Sequence, residues 1–264
     1  PKTSTNEPIA TQAAPAARKE KGAKLAVIGA GAVGSAVAYA SMIKGVAREY
    51  ALFDIAENKV KAEALDIAQG SQFAPVATVE GSSDIAVIKD ADIVVITAGA
   101  KQKPGQSRLD LAGATINIMK NIIPAAVEQA PDAIFLMVAN PVDVVTYAGL
   151  QISGLSADRF FGSGTVLDSS RLRYLVAQHC GVAPQTVHAY IAGEHGDSEI
   201  PLWSSAMIGA VPLLQWGQTV DGGMLDDNLR ESIHHDVVNS AYSIIEGKGA
   251  TNYAIGLSVA HIVS

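Results

Sequence analysis

The sequence predicts an α/β fold, with a doubly wound parallel sheet followed by an α+β unit. From Lys24 onwards, short apolar runs rich in Val and Ile alternate with longer segments of helical spacing, which is typical of strand and helix units in a parallel sheet. Helices are predicted at 32–45 and 57–70, and each ends near a glycine. The buried strands are predicted at 25–29, 50–55, 92–99 and 133–140.

The pattern loosens after about residue 160, which indicates a second unit packed against the first. This part contains a strand candidate at 186–193 and a long helical stretch from about 226 to 246. The start of the chain lacks large apolar groups and therefore predicts a flexible tail. We therefore divide the chain into a tail at 1–22, a first domain at 23–162 and a second domain at 163–264.

Composition excludes several classes of partner. A chain of 264 residues, 48% of them hydrophobic, can bury a sizeable core. Its net charge of −7 is spread along the sequence, so neither nucleic acid nor an anionic membrane is an expected partner. Cys180 is the single cysteine, which excludes an internal disulfide and a multi-cysteine zinc site. Without an apolar run of membrane-spanning length or a signal-peptide pattern, we expect a cytoplasmic protein.

The segment GAGAVG joins the first predicted strand to the first predicted helix. It supplies Gly29, Gly31 and Gly34. Glycines at this spacing form a tight turn that lets a pyrophosphate approach the N-terminus of the following helix. Asp54 closes the next strand, where a carboxylate accepts hydrogen bonds from both ribose hydroxyls and repels a 2′-phosphate. The combination predicts a Rossmann-type domain that prefers NAD to NADP. A glycine-rich turn that binds no ligand is the alternative.

Polar groups also follow the later predicted strands, where ligands bind in open sheets. The loop at 98–110 carries Gln102 and Arg108, and its glycine and proline content suits a mobile lid, although a solvated surface loop would have the same composition. Asn140 ends an apolar strand, so it is a cap for the next helix, a ligand contact, or both.

The stretch LDSSRLR predicts a helix with two separate anion sites. Asp168 and Arg171 are three residues apart and share a face, whereas Arg173 lies about 200° around the helix from Arg171. An intrahelical ion pair with a solvated second arginine is the alternative. His195 lies in GEHGDSE, and its acidic sequence neighbours need not reach its ring on an irregular segment.

Seven segments together resemble the L-lactate and malate dehydrogenase family, and within it the bacterial L-lactate dehydrogenases most of all. The similarity runs from about Lys24 to the last residue, in GAGAVG, ITAGA, SRLDL, NPVD, GSGTVLDSSRLRY, GEHGDSEIPLWS and KGATNYAIGLSVA. The resemblance implies an NAD-binding Rossmann domain followed by a substrate domain. It also implies an oxidoreductase of glycolysis and fermentation that interconverts pyruvate and (S)-lactate, assembled as a homotetramer.

The resemblance further implies a role for each polar residue. His195 would be the proton donor and acceptor and Asp168 would stabilise its charged form, since a histidine with a carboxylate partner is a reversible acid and base near neutral pH. Arg171 would bind the substrate carboxylate in a bidentate contact, and Arg108 would polarise the carbonyl oxygen. The substrate-binding set implied is Gln102, Arg108, Asn140, Asp168, Arg171 and Thr251. The cofactor-binding set implied is Gly29, Gly31, Val33, Gly34, Asp54, Lys59, Gly99, Ala100, Val138, Asn140 and Ser163, with no metal.

Gln102 decides the predicted substrate. Malate dehydrogenases of the family have an arginine here, and a neutral glutamine would leave the second carboxylate of oxaloacetate unpaired, at a cost of several kcal/mol. Pyruvate is therefore favoured, with malate dehydrogenase as the alternative because Lys101 and Lys103 flank the position. A non-catalytic NAD-binding paralogue is a further alternative. An NAD-dependent glycosidase would need a metal site of cysteine and histidine, and the adjacent His179 and Cys180 project about 100° apart on a helix.

The resemblance also implies an effector site at Arg173 and His188. In bacterial L-lactate dehydrogenases the matching pair binds fructose 1,6-bisphosphate at a subunit interface, where two cationic groups meet their symmetry copies. The remaining histidines, His234, His235 and His261, lie in helical stretches without assigned chemistry. Members of the family continue for several dozen residues beyond the point that matches the last residue, so either the sequence is incomplete or the chain is a fragment, and a fragment would expose apolar surface that the missing part should cover.

Overall fold

The computed structural model describes residues 22–100, 108–219 and 225–264. Gln102 lies outside the described residues, as does the predicted tail apart from Gly22. Arg108 is described as the first residue of a helix, but its side chain is not described. The predicted lid at 98–110 is therefore described only at its two ends.

Six parallel strands form the main sheet in the order β3-β2-β1-β4-β5-β6. The order turns back next to β1, which places the carboxyl ends of β1 and β4 at a switch point where ligands bind in such sheets. The strands are β1 (Lys24–Ile28), β2 (Glu49–Phe53), β3 (Thr78–Ser82), β4 (Ile93–Ile96), β5 (Ile134–Met137) and β6 (Phe160–Gly162). This arrangement confirms the predicted Rossmann-type sheet.

Helices cover both faces of the sheet, which explains why its strands are apolar throughout. In β1, Ala26 and Ile28 belong to one buried cluster, while Leu25 and Val27 belong to the cluster on the opposite face. The helices of this part are α1 (Ala32–Ile43), α2 (Glu57–Gln69), α3 (Arg108–Gln129), α4 (Val142–Ser153) and α5 (Val166–Cys180). The predicted helices at 32–45 and 57–70 are confirmed to within two residues.

A third buried cluster is formed by α5, by short strands that follow it and by a long helix near the end of the chain, whereas Val259 of the last helix belongs to the second cluster. Leu172 and Val176 of α5 pack there against Ile233 and Val237. The strands are β7 (Val187–His188), β8 (Ile191–Ala192), β9 (Ile200–Pro201), β10 (Met207–Ile208) and β11 (Val211–Pro212). The helices are α6 (Trp216–Thr219), α7 (Asp227–Lys248) and α8 (Tyr253–Ile262). The predicted long helix corresponds to α7, which the Asp226 carboxylate caps by accepting a hydrogen bond from the Leu229 N–H at 2.8 Å.

The prediction of one strand at 186–193 is wrong. Its first part, β7, pairs with β10, whereas its last part, β8, pairs with β9 in a different sheet. Between them the Ala189 carbonyl accepts a hydrogen bond from Arg173 Nε at 2.9 Å instead of joining a strand ladder. β3 escapes prediction because TVEGS lies at the sheet edge and has no fully buried residue. Of the helices in the described ranges, none combines the length and the apolar character needed to cross a membrane.

Candidate active site

The glycine turn between β1 and α1 is held tightly against β4. A Cβ added to Gly34 would collide with the backbone oxygen of Gly29, so only glycine allows α1 to approach the turn this closely. Thr97, just after β4, donates from Oγ1 to the Gly29 and Ile28 carbonyls at 2.9 and 3.2 Å. The turn therefore has a fixed shape at the carboxyl end of β1.

The N-terminus of α1 presents backbone N–H groups towards open space. Its N-cap residue, Gly31, is extended and provides no side-chain cap, and a Cβ added to Gly31 would meet no atom within 4 Å. Asp54 lies beside it, with Oδ2 accepting from the Ala30 N–H at 2.8 Å and Oδ1 from the Ala56 N–H at 3.0 Å. Each carboxylate oxygen keeps a further lone pair for a ribose hydroxyl. Helix N–H groups, an open cradle and a fixed carboxylate are the features that NAD requires.

The other predicted cofactor residues lie along the same edge of the sheet. Val33 is half-buried in the first turn of α1, Lys59 is exposed on α2, and Gly99 and Ala100 follow β4. Val138 and Ser163 are buried just beyond β5 and β6.

Thr115, a buried residue of α3, links two of these loops and has no signal in the sequence. Its Oγ1 accepts from the Ala100 N–H at 3.3 Å and donates to the Asn140 carbonyl at 3.4 Å. The ends of the loops after β4 and β5 are therefore held together.

Asp168 is the centre of a charged cluster on α5. Its side chain is 2% exposed, and Oδ2 lies 2.6 Å from His195 Nδ1. The other oxygen, Oδ1, accepts a hydrogen bond from Arg171 Nη1 at 3.0 Å. The shared face of Asp168 and Arg171 is confirmed, and so is the intrahelical ion pair that was the alternative. Because Asp168 occupies Nδ1, the histidine has Nε2 left for another partner.

Three hydrogen bonds from distant parts of the chain position this cluster. Ser169 Oγ accepts from the Ile191 N–H at 2.9 Å and Thr165 Oγ1 donates to the Ile191 carbonyl at 2.7 Å, which ties the start of α5 to β8. The backbone N–H of His195 donates to Asp143 Oδ2 of α4 at 2.8 Å. Asp143 is a second residue that the sequence does not reveal, since its partner is 52 positions away.

Glu199 is a third residue that sequence reasoning does not find. It is 3% exposed, and neither of its carboxylate oxygens has a hydrogen-bond partner in the described part of the chain. Glu194, by contrast, is exposed and accepts a hydrogen bond from Ser198 at 3.1 Å. Nothing in GEHGDSE distinguishes the buried carboxylate from its exposed neighbours, so only the folded chain identifies it.

The charges around His195 favour its protonated form. The hydrogen bond that the ring donates to Asp168 raises the pKa of His195 above its ordinary value, and the negative charges of Asp168 and Glu199 add to this effect. Partial burial and the positive charge of Arg171 act in the opposite direction. The pKa of Glu199 is raised to about 7, first by burial and then by the charge of Asp168. The site therefore places a carboxyl group with a pKa near neutrality beside a histidine whose pKa is raised.

Asp168, His195 and Glu199 also form the one group of possible metal ligands found in the described residues. Their ligand atoms all lie within 4.8 Å of one another. Asp168, however, uses one oxygen for His195 and the other for Arg171. A cation between them would break the histidine contact and approach a guanidinium, so this donor set suits proton transfer better than metal binding.

Arg173 points away from this cluster, as its spacing from Arg171 predicts. Nε donates to the Ala189 carbonyl and the guanidinium lies 4.6 Å from the centre of the Tyr190 ring. The two terminal nitrogens make no hydrogen bond to any described residue. His188 is exposed, next to Ala189 in the sequence. The alternative of a solvated second arginine does not match this geometry, because the half-buried side chain is anchored by Ala189 and Tyr190.

The remaining predicted residues are placed as follows. Asn140 is exposed after β5, and α4 begins after Pro141 without a side-chain cap, so the helix-capping alternative is not observed. Thr251 is half-buried in the segment before α8. His179 and Cys180 are the last two residues of α5, and burial raises the pKa of the Cys180 thiol.

Comparison with known proteins places the chain in a family. The model of the lactate/malate dehydrogenase NAD binding domain matches residues 23–162, and that of the lactate/malate dehydrogenase alpha/beta C-terminal domain matches residues 165–264. The chain belongs to the lactate/malate dehydrogenase family. The resemblance inferred from the seven segments is thereby confirmed, and the matched NAD binding domain identifies NAD as the cofactor.

Relatives within the family are L-lactate dehydrogenases of bacteria. The enzyme of Bifidobacterium animalis subsp. lactis is 60% identical over 243 residues, which cover 92% of this chain and 76% of the relative. That of Kosmotoga olearia is 46% identical and covers 91% and 75%. A crystal structure of the minor L-lactate dehydrogenase from Enterococcus mundtii in a ligand-bound form superposes with a TM-score of 0.86 at 39% identity, covering 91% and 76%. The chain spans about three quarters of the length of these relatives.

Proposed function

We propose that the chain is an NAD-dependent L-lactate dehydrogenase, which reduces pyruvate to (S)-lactate and catalyses the reverse reaction. The observation that carries the proposal is the contact between His195 Nδ1 and Asp168 Oδ2 at 2.6 Å, next to Arg171. The arrangement places a reversible acid, His195, beside a cation, Arg171, that can bind the carboxylate of pyruvate. Similarity to bacterial L-lactate dehydrogenases at up to 60% identity supports the same substrate pair.

The cofactor is held by the residues of the first domain, which we place at 23–162, with the substrate domain at 163–264. NADH, when bound, supplies the hydride. The N–H groups at the start of α1 bind its pyrophosphate, and Gly31 leaves the space for it. Asp54 binds the ribose hydroxyls and disfavours a 2′-phosphate. The remaining cofactor contacts are proposed for Gly29, Val33, Lys59, Gly99, Ala100, Val138, Asn140 and Ser163.

The proton step belongs to His195. Asp168 holds Nδ1, so the ring donates from Nε2 to the carbonyl oxygen of pyruvate and takes the proton back from the hydroxyl of lactate. Asp168 stabilises the protonated ring and fixes its orientation, because its carboxylate is buried and bonded to Nδ1.

Substrate binding is proposed for Arg171, Arg108, Gln102, Asn140 and Thr251. Arg171 uses one terminal nitrogen for Asp168 and presents the other nitrogens to the carboxylate of pyruvate, at a side chain that is 12% exposed. Arg108 polarises the carbonyl oxygen as charge develops on it. Gln102 is proposed to discriminate between substrates, since a neutral amide suits the methyl group of pyruvate and would leave the second carboxylate of oxaloacetate unpaired.

The test is NADH consumption with pyruvate and with oxaloacetate at equal concentrations. We expect kcat/KM to favour pyruvate by at least about 100-fold, because an unpaired buried carboxylate costs several kcal/mol. A preference for oxaloacetate would identify a malate dehydrogenase. No oxidation of NADH with either keto acid would identify a nucleotide-binding protein without turnover.

Regulation and assembly extend the proposal. We infer that Arg173 and His188 bind one phosphate group of fructose 1,6-bisphosphate, with the partner copies binding the other. Support comes from the anchored guanidinium, whose terminal nitrogens have no described partner. A homotetramer is the expected assembly, since exposed apolar side chains lie along α1 and α8, namely Tyr39, Ile43, Tyr253 and Leu257. A cytoplasmic location remains part of the proposal.

A further inference from the structure

Glu199 is a buried acid without a partner beside the catalytic pair of the proposed function. It is 3% exposed, and both of its carboxylate oxygens lack a hydrogen-bond partner among the described residues. An unpaired carboxylate in such a place is strongly destabilised in its charged form. A protein keeps such a group only where the charge is offset or the group is protonated.

The charged groups that face Glu199 belong to two elements and one loop. Asp168 and Arg171 of α5 act on it through their charges, and His195 of the loop does the same. The Gly196 backbone N–H lies near enough to favour the ionised form, although neither carboxylate oxygen makes a full hydrogen bond with it. His234 of α7 contacts the same residue from another side, with Nε2 lying 3.1 Å from the Glu199 backbone carbonyl. Its carboxyl group thus faces one anion, one permanent cation and one ring that changes charge.

The charge of this cluster changes when the ring gives up its proton. With a protonated ring, Arg171 and His195 offset the negative charges of both Asp168 and Glu199. With a neutral ring, two carboxylates whose ligand atoms lie within 4.8 Å of each other share a single cation. Two carboxylates so close together disfavour joint ionisation, and the one without hydrogen bonds is the one that accepts a proton.

We propose that Glu199 is a positioning residue for the proton step, a second carboxyl group that is ionised while His195 is protonated and takes up a proton when the ring becomes neutral. As pyruvate is reduced, the bond from the proton to His195 Nε2 breaks and the O–H bond of lactate forms. Glu199 then binds a proton from solvent and releases it when the ring is protonated again. The inference rests on the proposed lactate dehydrogenase activity.

The effect on His195 has a definite sign. Ionised Glu199 raises the pKa of the ring, so it extends the pH range in which His195 can donate a proton. Glu199→Gln removes the charge and keeps the size of the side chain. The variant should lose pyruvate reduction at a lower pH than the wild type and gain lactate oxidation at a lower pH, because the same ring serves both directions.

The experiment compares kcat/KM for pyruvate reduction and for lactate oxidation across pH. In Glu199→Gln we expect both inflections to move to lower pH by about half a unit or more, equivalent to about a threefold fall in pyruvate reduction above the inflection. Glu194→Gln is the matched control, since Glu194 is exposed on the same loop, and its inflections should stay in place. Glu199→Asp keeps the negative charge, so both inflections should return most of the way to their wild-type positions.

Unshifted inflections in an active Glu199→Gln variant, or an equal loss of both directions at every pH, would overturn the inference and leave a structural role. If the wild type does not reduce pyruvate at any pH, the proposed function is overturned instead. If the variants do not fold, an infrared titration of the wild type replaces them. A protonated carboxyl band that appears as the His195 ring becomes neutral supports the inference. A carboxyl band that stays unchanged when the ring loses its proton contradicts it.

Discussion

At the scale of the residue, the site depends on which carboxylate contacts which side chain. GEHGDSE contains three acids, yet the ring of His195 bonds to Asp168, 27 positions earlier in the chain. Glu194 is exposed and bonds to Ser198 instead. The same loop is held to α4 by Asp143. Sequence neighbours are therefore poor guides to the partner of an ionisable ring on an irregular segment.

Exchange of Asp168 for Asn should reduce kcat/KM for pyruvate by about 100-fold to 10,000-fold, because the charged ring loses its buried counter-ion and its fixed tautomer. Glu194→Gln should change it by no more than about twofold. Steady-state kinetics of the two purified variants measure the difference. Equal losses would mean that Glu194 supports the histidine as much as Asp168 does.

At the scale of the element, the turn before α1 contains glycines with two different roles, one in helix packing and one in ligand binding. A Cβ at Gly34 would meet the Gly29 carbonyl, whereas a Cβ at Gly31 would enter open space. The first position is required by the packing of α1 on the turn. The second position matters only when a ligand occupies that space.

Gly31→Ala should therefore weaken NADH binding by tenfold or more, an effect of about 1.4 kcal/mol, with little change in the melting temperature. Gly34→Ala should lower both NADH affinity and the melting temperature, since the turn must open. Fluorescence titration with NADH and thermal unfolding measure the two properties. Gly113→Ala in α3, which also meets no atom within 4 Å, is the control. A stable Gly34→Ala variant with full affinity would show that the turn does not depend on this contact.

Sequence predicts elements well where the physical signal is local. The apolar runs of β1, β2, β4 and β5 are buried on both faces, so each is visible as a continuous run. The stretch at 186–193 looks like one strand but divides between two sheets, because pairing with β10 and β9 is decided by distant segments. Such pairing leaves no trace in the composition of the stretch itself.

At the scale of the whole molecule, the two arginines of α5 serve different surfaces. Arg171 contacts the catalytic cluster, whereas Arg173 is anchored by Ala189 and Tyr190 near the exposed His188. Exposed apolar side chains on α1 and α8 form a further surface, which the proposed homotetramer would bury. Activity in one copy and effector binding between copies would then be connected through one helix.

Sedimentation of the 27.3 kDa chain should give a mass of several copies, and fructose 1,6-bisphosphate should increase activity at low pyruvate. Arg173→Gln should remove this response, because the anchored guanidinium supplies the phosphate contact. Velocity sedimentation and initial rates with and without the sugar bisphosphate measure both effects. A single-copy mass, or rates that do not respond in the wild type, would contradict assembly and activation respectively.

The sequence by itself determined the nucleotide half of this protein and the two faces of α5. Glycine spacing, apolar runs and helical periodicity act within a few residues, so their consequences can be derived before any fold is known. Only the tertiary structure decided the environment of His195. Asp168, Asp143 and Glu199 meet there from α5, α4 and the loop that carries His195. Burial makes one carboxylate a counter-ion and leaves another without a partner, and burial is a property of the folded chain.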